Sequence, residues 1–395
     1  MSAPQVLERI GLGGRCVTLR LSGGRIAAIE PAPPGTTPRW QALPLLADPH
    51  LHLDKTFTFA RARPRAPGLF AAIDAAGADA RNWTAADLRT RAARALTESA
   101  AAGMGALRSH VDWPAPAPPT AWSVLAELAA EWRGRLTVQR AALCPLDLLG
   151  DRDHGPGIAR AVAQTGDGVL GAFVYRNADL PAKLARVFAL AADHGLALDF
   201  HVDEGVEPEA SGFDAIVEQT ARHGMGGRVL CGHGCALAVR PEPEVARVLH
   251  AAARAGVGLT VLPGTNLWLQ DGAPGRTPRL RGLAPLVEAR AAGVTVMLGA
   301  DNVADPFQPL GAYDPVETLR LAVPAAHLNP EAWVDAITTT PAHWLGAEAA
   351  PLALGAPAGF VLLEGASLHD ALRRPPRRRI FRAGVESGPA IMETS

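Results

Sequence analysis

Histidine and aspartate residues with the spacing of a metal site are the first feature of this sequence. His50 and His52 are two residues apart, and because alternate residues of a strand point to the same face, both imidazoles can reach one ion. His201 and Asp301 add a third imidazole and a carboxylate. These donor types suit zinc or ferrous iron and leave a position for water. The sequence therefore predicts one divalent metal ion, Zn or Fe, bound by these four residues.

Eight short apolar segments, separated by alanine-rich segments with helical period, are the elements that must position these residues. Eight such βα units close as a (β/α)8 TIM barrel more naturally than they form an open sheet, and barrel enzymes carry their catalytic groups at the C-terminal ends of the strands. The metal-site residues, together with His110, Asp112 and His233, fall at those ends. The predicted strands are residues 43–51, 105–111, 136–144, 169–174, 196–202, 228–233, 257–262 and 294–299. The predicted helices include 85–102, 120–132, 181–194, 212–224, 242–255 and 283–292.

Both ends of the chain have the pattern of a small β-domain. Residues 16–30 alternate around the turn Ser22-Gly23-Gly24, which predicts a hairpin, and residues 357–364 and 377–385 resemble further strands. We therefore expect an α/β protein with a small β-sandwich domain formed by both termini. Its expected parts are residues 1–42 and 351–395, which flank a barrel over residues 43–350.

The composition is that of a globular protein without charged macromolecular partners. Hydrophobic residues make up 48% of the chain and charged residues 19%, which is enough apolar material for a large core. A net charge of -1 favours neither nucleic acid nor an anionic membrane as a partner. No leader or membrane-spanning stretch is evident, so we expect a cytoplasmic protein with reduced cysteines. Its expected partner is a small molecule, and the sequence is compatible with a homo-oligomer.

Residues 47–55, Ala-Asp-Pro-His-Leu-His-Leu-Asp-Lys, resemble the opening metal motif of the cytosine deaminase branch of the amidohydrolase superfamily, which includes relatives acting on triazines such as N-isopropylammelide amidohydrolase. Residues 200–204, 223–233 and 299–311 are similar to further segments of that branch. The resemblance spans nearly the whole chain, including the β-domain split between the termini. It implies the same four metal ligands.

The resemblance also implies roles for three residues in hydrolysis. Glu204 would be the proton shuttle that protonates the ring nitrogen beside the attacked carbon, and Asp301 would accept a proton from the water. A charged His233 would stabilise the developing oxyanion. Some relatives hold two metals through a carboxylated lysine at the end of the fourth strand, but neither lysine of this chain, Lys55 or Lys183, lies there. We therefore expect a single metal ion.

Two positions point away from cytosine as the substrate. Leu146 replaces a glutamine that reads the pyrimidine's amide edge in cytosine deaminases, and loss of such a partner discriminates strongly between polar substrates. Asn302 replaces a second aspartate, and an amide can both donate and accept. Aromatic and polar residues after other strand ends are further candidates for the pocket wall, where rings can stack on a flat substrate: Trp113, Asn266, Trp268 and Phe307.

The resulting prediction is a hydrolase acting on C–N bonds other than peptide bonds. It would deaminate a small amino-substituted nitrogen heterocycle, such as a cytosine-like pyrimidine, isocytosine or an aminotriazine. One alternative is an amidohydrolase that cleaves a cyclic amide or releases a substituted amine. Another is a metal-binding protein without turnover, against which the presence of Glu204 and His233 argues. The resemblance assigns no role to His110 or Asp112.

Overall fold

A sheet of eight parallel strands forms the centre of the computed structural model, which describes residues 5–347 and 350–387. The strands pair in chain order, and the sheet closes because Asp301 N donates to His50 O at 3.0 Å while His52 N donates to Asp301 O at 3.2 Å. The predicted barrel is confirmed. Its strands are β1 Leu46–Leu51, β2 Met104–Asp112, β3 Thr137–Pro145, β4 Gly168–Val174, β5 Leu198–Val202, β6 Val229–His233, β7 Val257–Val261 and β8 Thr295–Leu298.

Helices follow the barrel strands and cover the outside of the sheet. The sequence patterns located Ala85–Ala102, Thr120–Trp132 and Glu242–Ala255 to the residue. Thr84 caps the first of these by accepting a hydrogen bond from Asp87 N, as expected for a threonine before a helix. The other helices are Leu69–Ala80, Leu146–Leu149, Gly155–Ala163, Leu180–Asp193, Gly212–His223, Pro263–Leu269, Leu286–Ala291, Pro315–Ala326, Pro330–Trp333, Thr339–Trp344 and Leu368–Leu372, with 3-10 turns at Cys235–Val239 and Val334–Ile337.

The first predicted strand, residues 43–51, is two strands that belong to different sheets. Trp40–Pro44 pairs with Phe360–Glu364 in the terminal sheet, whereas Leu46–Leu51 pairs with β2 in the barrel. The expectation of one strand was wrong because an apolar run is continuous across Leu45, and its pattern does not reveal which neighbours each half pairs with.

The terminal sheet confirms the small domain formed by both ends of the chain. Its two ends meet, since Gly24 O accepts from Ala358 N and Ala358 O accepts from Gly384 N, both at 2.9 Å. The sheet thereby encloses its own core, which includes Ile10, Leu19, Ile26, Phe360 and Phe381. Within the described residues its strand order is Val385–Ser387, Arg378–Arg382, Phe360–Glu364, Trp40–Pro44, Gln5–Leu12, Arg15–Ser22 and Arg25–Pro31.

The barrel interior carries polar side chains that lead to the functional site. Arg108 and His110 alternate along β2, and Asp199 and His201 alternate along β5, so each pair points to the barrel axis. Arg108 Nη1 donates to Asp199 Oδ2 at 2.7 Å, which pairs two buried charges across the interior. Arg108 and Asp199 therefore form a layer of fixed polar groups inside the barrel, two residues before His110 and His201 along their strands. Among residues 5–347 and 350–387, the helices are all too short or too polar to cross a bilayer.

Candidate metal centre and active site

The four predicted metal ligands converge at the C-terminal end of the barrel. His201 Nε2 lies 3.2 Å from His50 Nε2 and 3.1 Å from His52 Nε2. Asp301 Oδ1 lies 3.5 Å and 3.2 Å from the same two histidine nitrogens. Ligands at zinc-like bond lengths in a tetrahedron are about 3.3 Å apart, so these atoms have the spacing of donors around one ion.

The protonation states of these residues also fit a divalent cation. Burial lowers the pKa of His52 and His201 well below the usual value, which keeps both imidazoles in the neutral form that binds metals. Burial opposes ionisation of Asp301, but the nearby imidazoles of His50 and His52 outweigh it and hold its pKa well below the usual range. Neither Asp301 oxygen has a good hydrogen-bond partner among the described residues. Since a buried unpaired carboxylate is costly, a divalent cation is the natural partner of this set.

The backbone holds Asp301 and His233 in unusual conformations. Asp301 has φ of 61° and His233 has φ of 70°, in the left-handed region that residues other than glycine rarely adopt. Such residues persist where the surrounding structure fixes them, and they cluster at functional sites. Asp48 contributes here, because its carboxylate accepts from His50 N and Ala300 N, each at 2.9 Å. This bridge fixes the end of β1 against the residue before Asp301.

His233 ends β6 and is oriented by Asn266. The amide Nδ2 of Asn266 lies 3.0 Å from His233 Nδ1. Burial lowers the pKa of His233 to about 3, so the ring is neutral near pH 7. This direction favours a neutral His233 over the charged form that the resemblance implies, because desolvation penalises the imidazolium. If the Asn266 amide donates to Nδ1, a neutral His233 carries its proton on Nε2, which has no protein partner among the described residues.

Glu204 lies beyond the end of β5 and is almost completely buried. Its Oε1 is 3.7 Å from His233 Nδ1, and its main-chain oxygen accepts a hydrogen bond from the Gln270 side chain. Burial, with a smaller contribution from the nearby Asp301, raises the pKa of Glu204 well above its usual value. A raised pKa favours the protonated form of Glu204, which is the form that can donate a proton.

His110 supports the metal ligands from below. Its ring centroid is 4.0 Å from that of His50, and its Nε2 is 3.2 Å from Asp199 Oδ1. Burial lowers the pKa of His110 to about 4, so it is neutral. His110 also forms a second possible donor set with His50, His52 and His201. The sequence placed it near the site without a role, and the structure places it between His50 and Asp199.

A cavity of about 470 Å³ opens beside the metal-site residues. Of the predicted substrate-binding residues, Trp113, Asn302 and Phe307 line it. One wall is the helix Leu69–Ala80, which was not among the helices predicted from the sequence. Its apolar residues at positions 69, 73 and 76 have the spacing of one helix face and could have predicted it.

The structure places the other three predicted substrate-binding residues away from the cavity wall. Asn266 contacts His233 instead. Leu146 begins a short helix and packs in the hydrophobic core, while the three residues before it line the cavity. Trp268 is 52% exposed on a separate surface. Because Asn266 and Trp268 are two residues apart on one helix, their side chains point in different directions.

Two residues of the cavity wall had no assigned function in the sequence. Lys55 Nζ lies 2.7 Å from Asp112 Oδ1, and both side chains line the cavity. Their positions in the sequence could have indicated that they lie at the site, because Lys55 follows the His-x-His segment by three residues and Asp112 is the last residue of β2.

Known proteins resemble this chain in sequence and in fold. A pterin deaminase from Rhizobium rhizogenes (strain K84 / ATCC BAA-868) is 36% identical over 341 residues, or 85% of this chain and 78% of that protein. The crystal structure of 5-methylcytosine deaminase from Klebsiella pneumoniae has a TM-score of 0.83 at 24% identity and covers 96% of this chain and 97% of its own. N-isopropylammelide isopropylaminohydrolase from Burkholderia multivorans ATCC 17616 has a TM-score of 0.78 at 24% identity, with 98% of each chain covered. These two likenesses show the fold.

The family model described as "Amidohydrolase family" matches residues 145–385, and with the pterin deaminase it shows that this chain belongs to the amidohydrolase family.

Proposed function

We propose that this chain is a metal-dependent deaminase of a heterocycle with a 2-amino-4-oxopyrimidine ring, the ring found in isocytosine and pterin. The observation that carries the proposal is that His52, His201 and Asp301 of the metal site line one cavity with Glu204 and His233, while His50 lies behind them against His201. The 36% identical relative is a pterin deaminase, which supports this ring among the amino heterocycles.

The chain's own residues have complementary tasks in such a reaction. A bound divalent metal lowers the pKa of water from ~15.7 toward ~7 and so makes hydroxide available at neutral pH. Asp301 is an ionised carboxylate that can accept a proton. Glu204 can give its proton to a ring nitrogen beside the amino-bearing carbon, which makes that carbon more electrophilic. His233 can donate from neutral Nε2 to the oxygen that develops negative charge.

The cavity suits a flat ring system. A volume of about 470 Å³ lies within the range of roughly 300–1,000 Å³ that is usual for small-molecule sites. We propose that Trp113 and Phe307 contact the faces or edges of the ring. The amide nitrogen of Asn302 donates to Asp305 Oδ2 at 2.7 Å, which leaves the amide oxygen and one N–H of Asn302 to meet the substrate.

We propose one zinc or iron ion per chain. A second ion bridged by a carboxylated lysine would need a lysine at the end of β4, and the two lysines of the chain are engaged elsewhere. Lys55 pairs with Asp112, and Lys183 pairs with Asp147 at 2.7 Å outside the barrel mouth. Metal analysis of the purified protein should give close to one equivalent.

A substrate panel tests the proposed activity. The protein is stripped with a chelator, reloaded with Zn²⁺ or Fe²⁺, and assayed for ammonia with pterin, isocytosine, cytosine and an aminotriazine. We expect ammonia from the first two. Ring opening of a cyclic amide, or release of a substituted amine, would support the alternative amidohydrolase activity. Absence of any turnover by the metal-loaded protein would overturn the proposal in favour of a metal-binding role.

A further inference from the structure

Lys55 and Asp112 form a charged pair in the wall of the cavity. Lys55 is 3% exposed, and its Nζ lies 2.7 Å from Asp112 Oδ1. The Asp112 side chain is 38% exposed and lines the cavity together with Lys55. Asp54 Oδ2 accepts from the backbone N of Asp112 at 2.8 Å, which holds the end of β2 in position.

The pair has hydrogen-bonding capacity that the protein leaves unused. An ammonium has three N–H donors, and among the described residues Lys55 Nζ donates a hydrogen bond only to Asp112. Asp112 Oδ2 likewise accepts no hydrogen bond within the described part of the chain. Phe307 covers the ammonium, with its ring centroid 4.9 Å away. Burial opposes the charge on Lys55, but Asp112 and Asp54 outweigh it and raise its pKa, so the ammonium persists.

We infer that the Lys55–Asp112 pair binds a lactam edge of the substrate, with Lys55 donating to the carbonyl oxygen and Asp112 accepting from the adjacent N–H. The inference rests on the proposed function. A lactam presents one acceptor and one donor on neighbouring atoms, which complements a lysine beside a carboxylate. The neighbouring strand β3 contributes Leu143, Cys144 and Pro145 to the wall, which supply no amide or carboxylate for this purpose.

The position of the lactam in the ring then selects between substrates. In isocytosine and pterin, the lactam N–H is bonded directly to the amino-bearing carbon, and the other nitrogen on that carbon is free to take a proton from Glu204. In cytosine, the lactam is displaced by one ring atom from the amino-bearing carbon. A fixed Lys55–Asp112 pair can therefore hold only one of these two rings with its amino group at the metal site. The proposed substrate class assigns the pair to the 2-amino-4-oxo arrangement.

Isocytosine and 2-aminopyrimidine test this inference because the second ring lacks the lactam. Their equilibrium binding is measured by calorimetry on metal-loaded protein carrying Glu204→Gln, so that turnover does not interfere. We expect isocytosine to bind more tightly by roughly 10–100-fold, and Asp112→Asn or Lys55→Met to remove most of that preference. Binding of 2-aminopyrimidine should change by less than about 3-fold, since it makes no contact that either variant removes.

The second lysine–aspartate pair of the chain provides a matched control. Lys183 and Asp147 are also 2.7 Å apart but lie outside the cavity, so Asp147→Asn should preserve the preference for isocytosine. The inference is overturned if isocytosine does not bind, if wild-type selectivity is absent, or if Asp112→Asn weakens both rings equally, which would indicate a structural role. Selective binding of isocytosine without ammonia release by the wild-type enzyme would instead overturn the proposed deamination and leave lactam recognition standing.

Discussion

Asn266 Nδ2 lies 3.0 Å from His233 Nδ1, and an amide that donates across this contact places the proton of a neutral His233 on Nε2. Histidine function depends on the tautomer that a neighbouring group selects. By occupying Nδ1, Asn266 leaves Nε2–H as the donor of a ring that burial keeps neutral. Asn266 is therefore a positioning residue for His233.

Replacing Asn266 by Ala should lower kcat for ammonia release by about 10–100-fold, the usual cost of losing a group that orients a site residue. Metal content should stay the same, because Asn266 contacts none of the four ligand side chains through a hydrogen bond. Steady-state kinetics and metal analysis measure the two effects. Asn82→Ala, on the exposed surface, is the control. An Asn266→Ala enzyme with wild-type kcat would contradict the orienting role.

Replacing Glu204 by Gln should lower kcat by about 10²- to 10⁴-fold, because the amide keeps the size of the side chain but removes the transferable proton. Burial raises the pKa of Glu204, so the wild-type rate should fall on the alkaline side as the proton is lost. A pH–rate profile of both proteins checks this, and the variant should lack that alkaline decline. Glu209→Gln is the matched control, since Glu209 lies exposed on the same loop and pairs with Arg176. A Glu204→Gln enzyme that kept the alkaline decline would rule out Glu204 as its source.

Removing the metal should lower the melting temperature of the protein. A ligand that binds only the folded state stabilises it by about 4 kcal/mol at a free concentration roughly a thousand times its Kd. Calorimetry with Zn²⁺ and then with excess chelator should therefore show two different melting temperatures. In Asp301→Asn the difference should shrink, whereas the exposed His194→Ala should behave as wild type. Equal melting temperatures for wild-type protein with and without metal would contradict the site.

Replacing Gly232 by Ala should disturb the metal site, although Gly232 is not itself a predicted ligand. A Cβ there would lie 2.5 Å from His50 Cε1 and 2.8 Å from His50 Nδ1, which is too close for the ring to stay in place. Gly232→Ala should therefore weaken metal binding, measured by competition with a chromogenic chelator. Gly157→Ala is the control because its Cβ would meet no atom within 4 Å. Unchanged metal affinity in Gly232→Ala would show that His50 can move without cost.

The sequence by itself determined the barrel, its strand ends and the chemical types of the site residues. Strand and helix periodicity depends on local alternation of apolar residues, so β2 to β8 and helices such as Thr120–Trp132 could be located closely. The His-x-His pair could be assigned to one face because residues two apart on a strand share a face. Where apolar residues were continuous, as across Leu45, the pattern did not show that the chain passes from one sheet to another.

Only the tertiary structure decided which side chains meet. The contact of Asn266 with His233 spans 33 residues and that of Lys55 with Asp112 spans 57, distances along the chain that no local pattern encodes. Burial is also a property of the folded state, and it lowers the pKa of His233, for which the family resemblance implied a charged ring. The donors of the metal site could be named from the sequence because their backbone positions follow from strand ends. Their protonation states and partners depend on what surrounds them after folding.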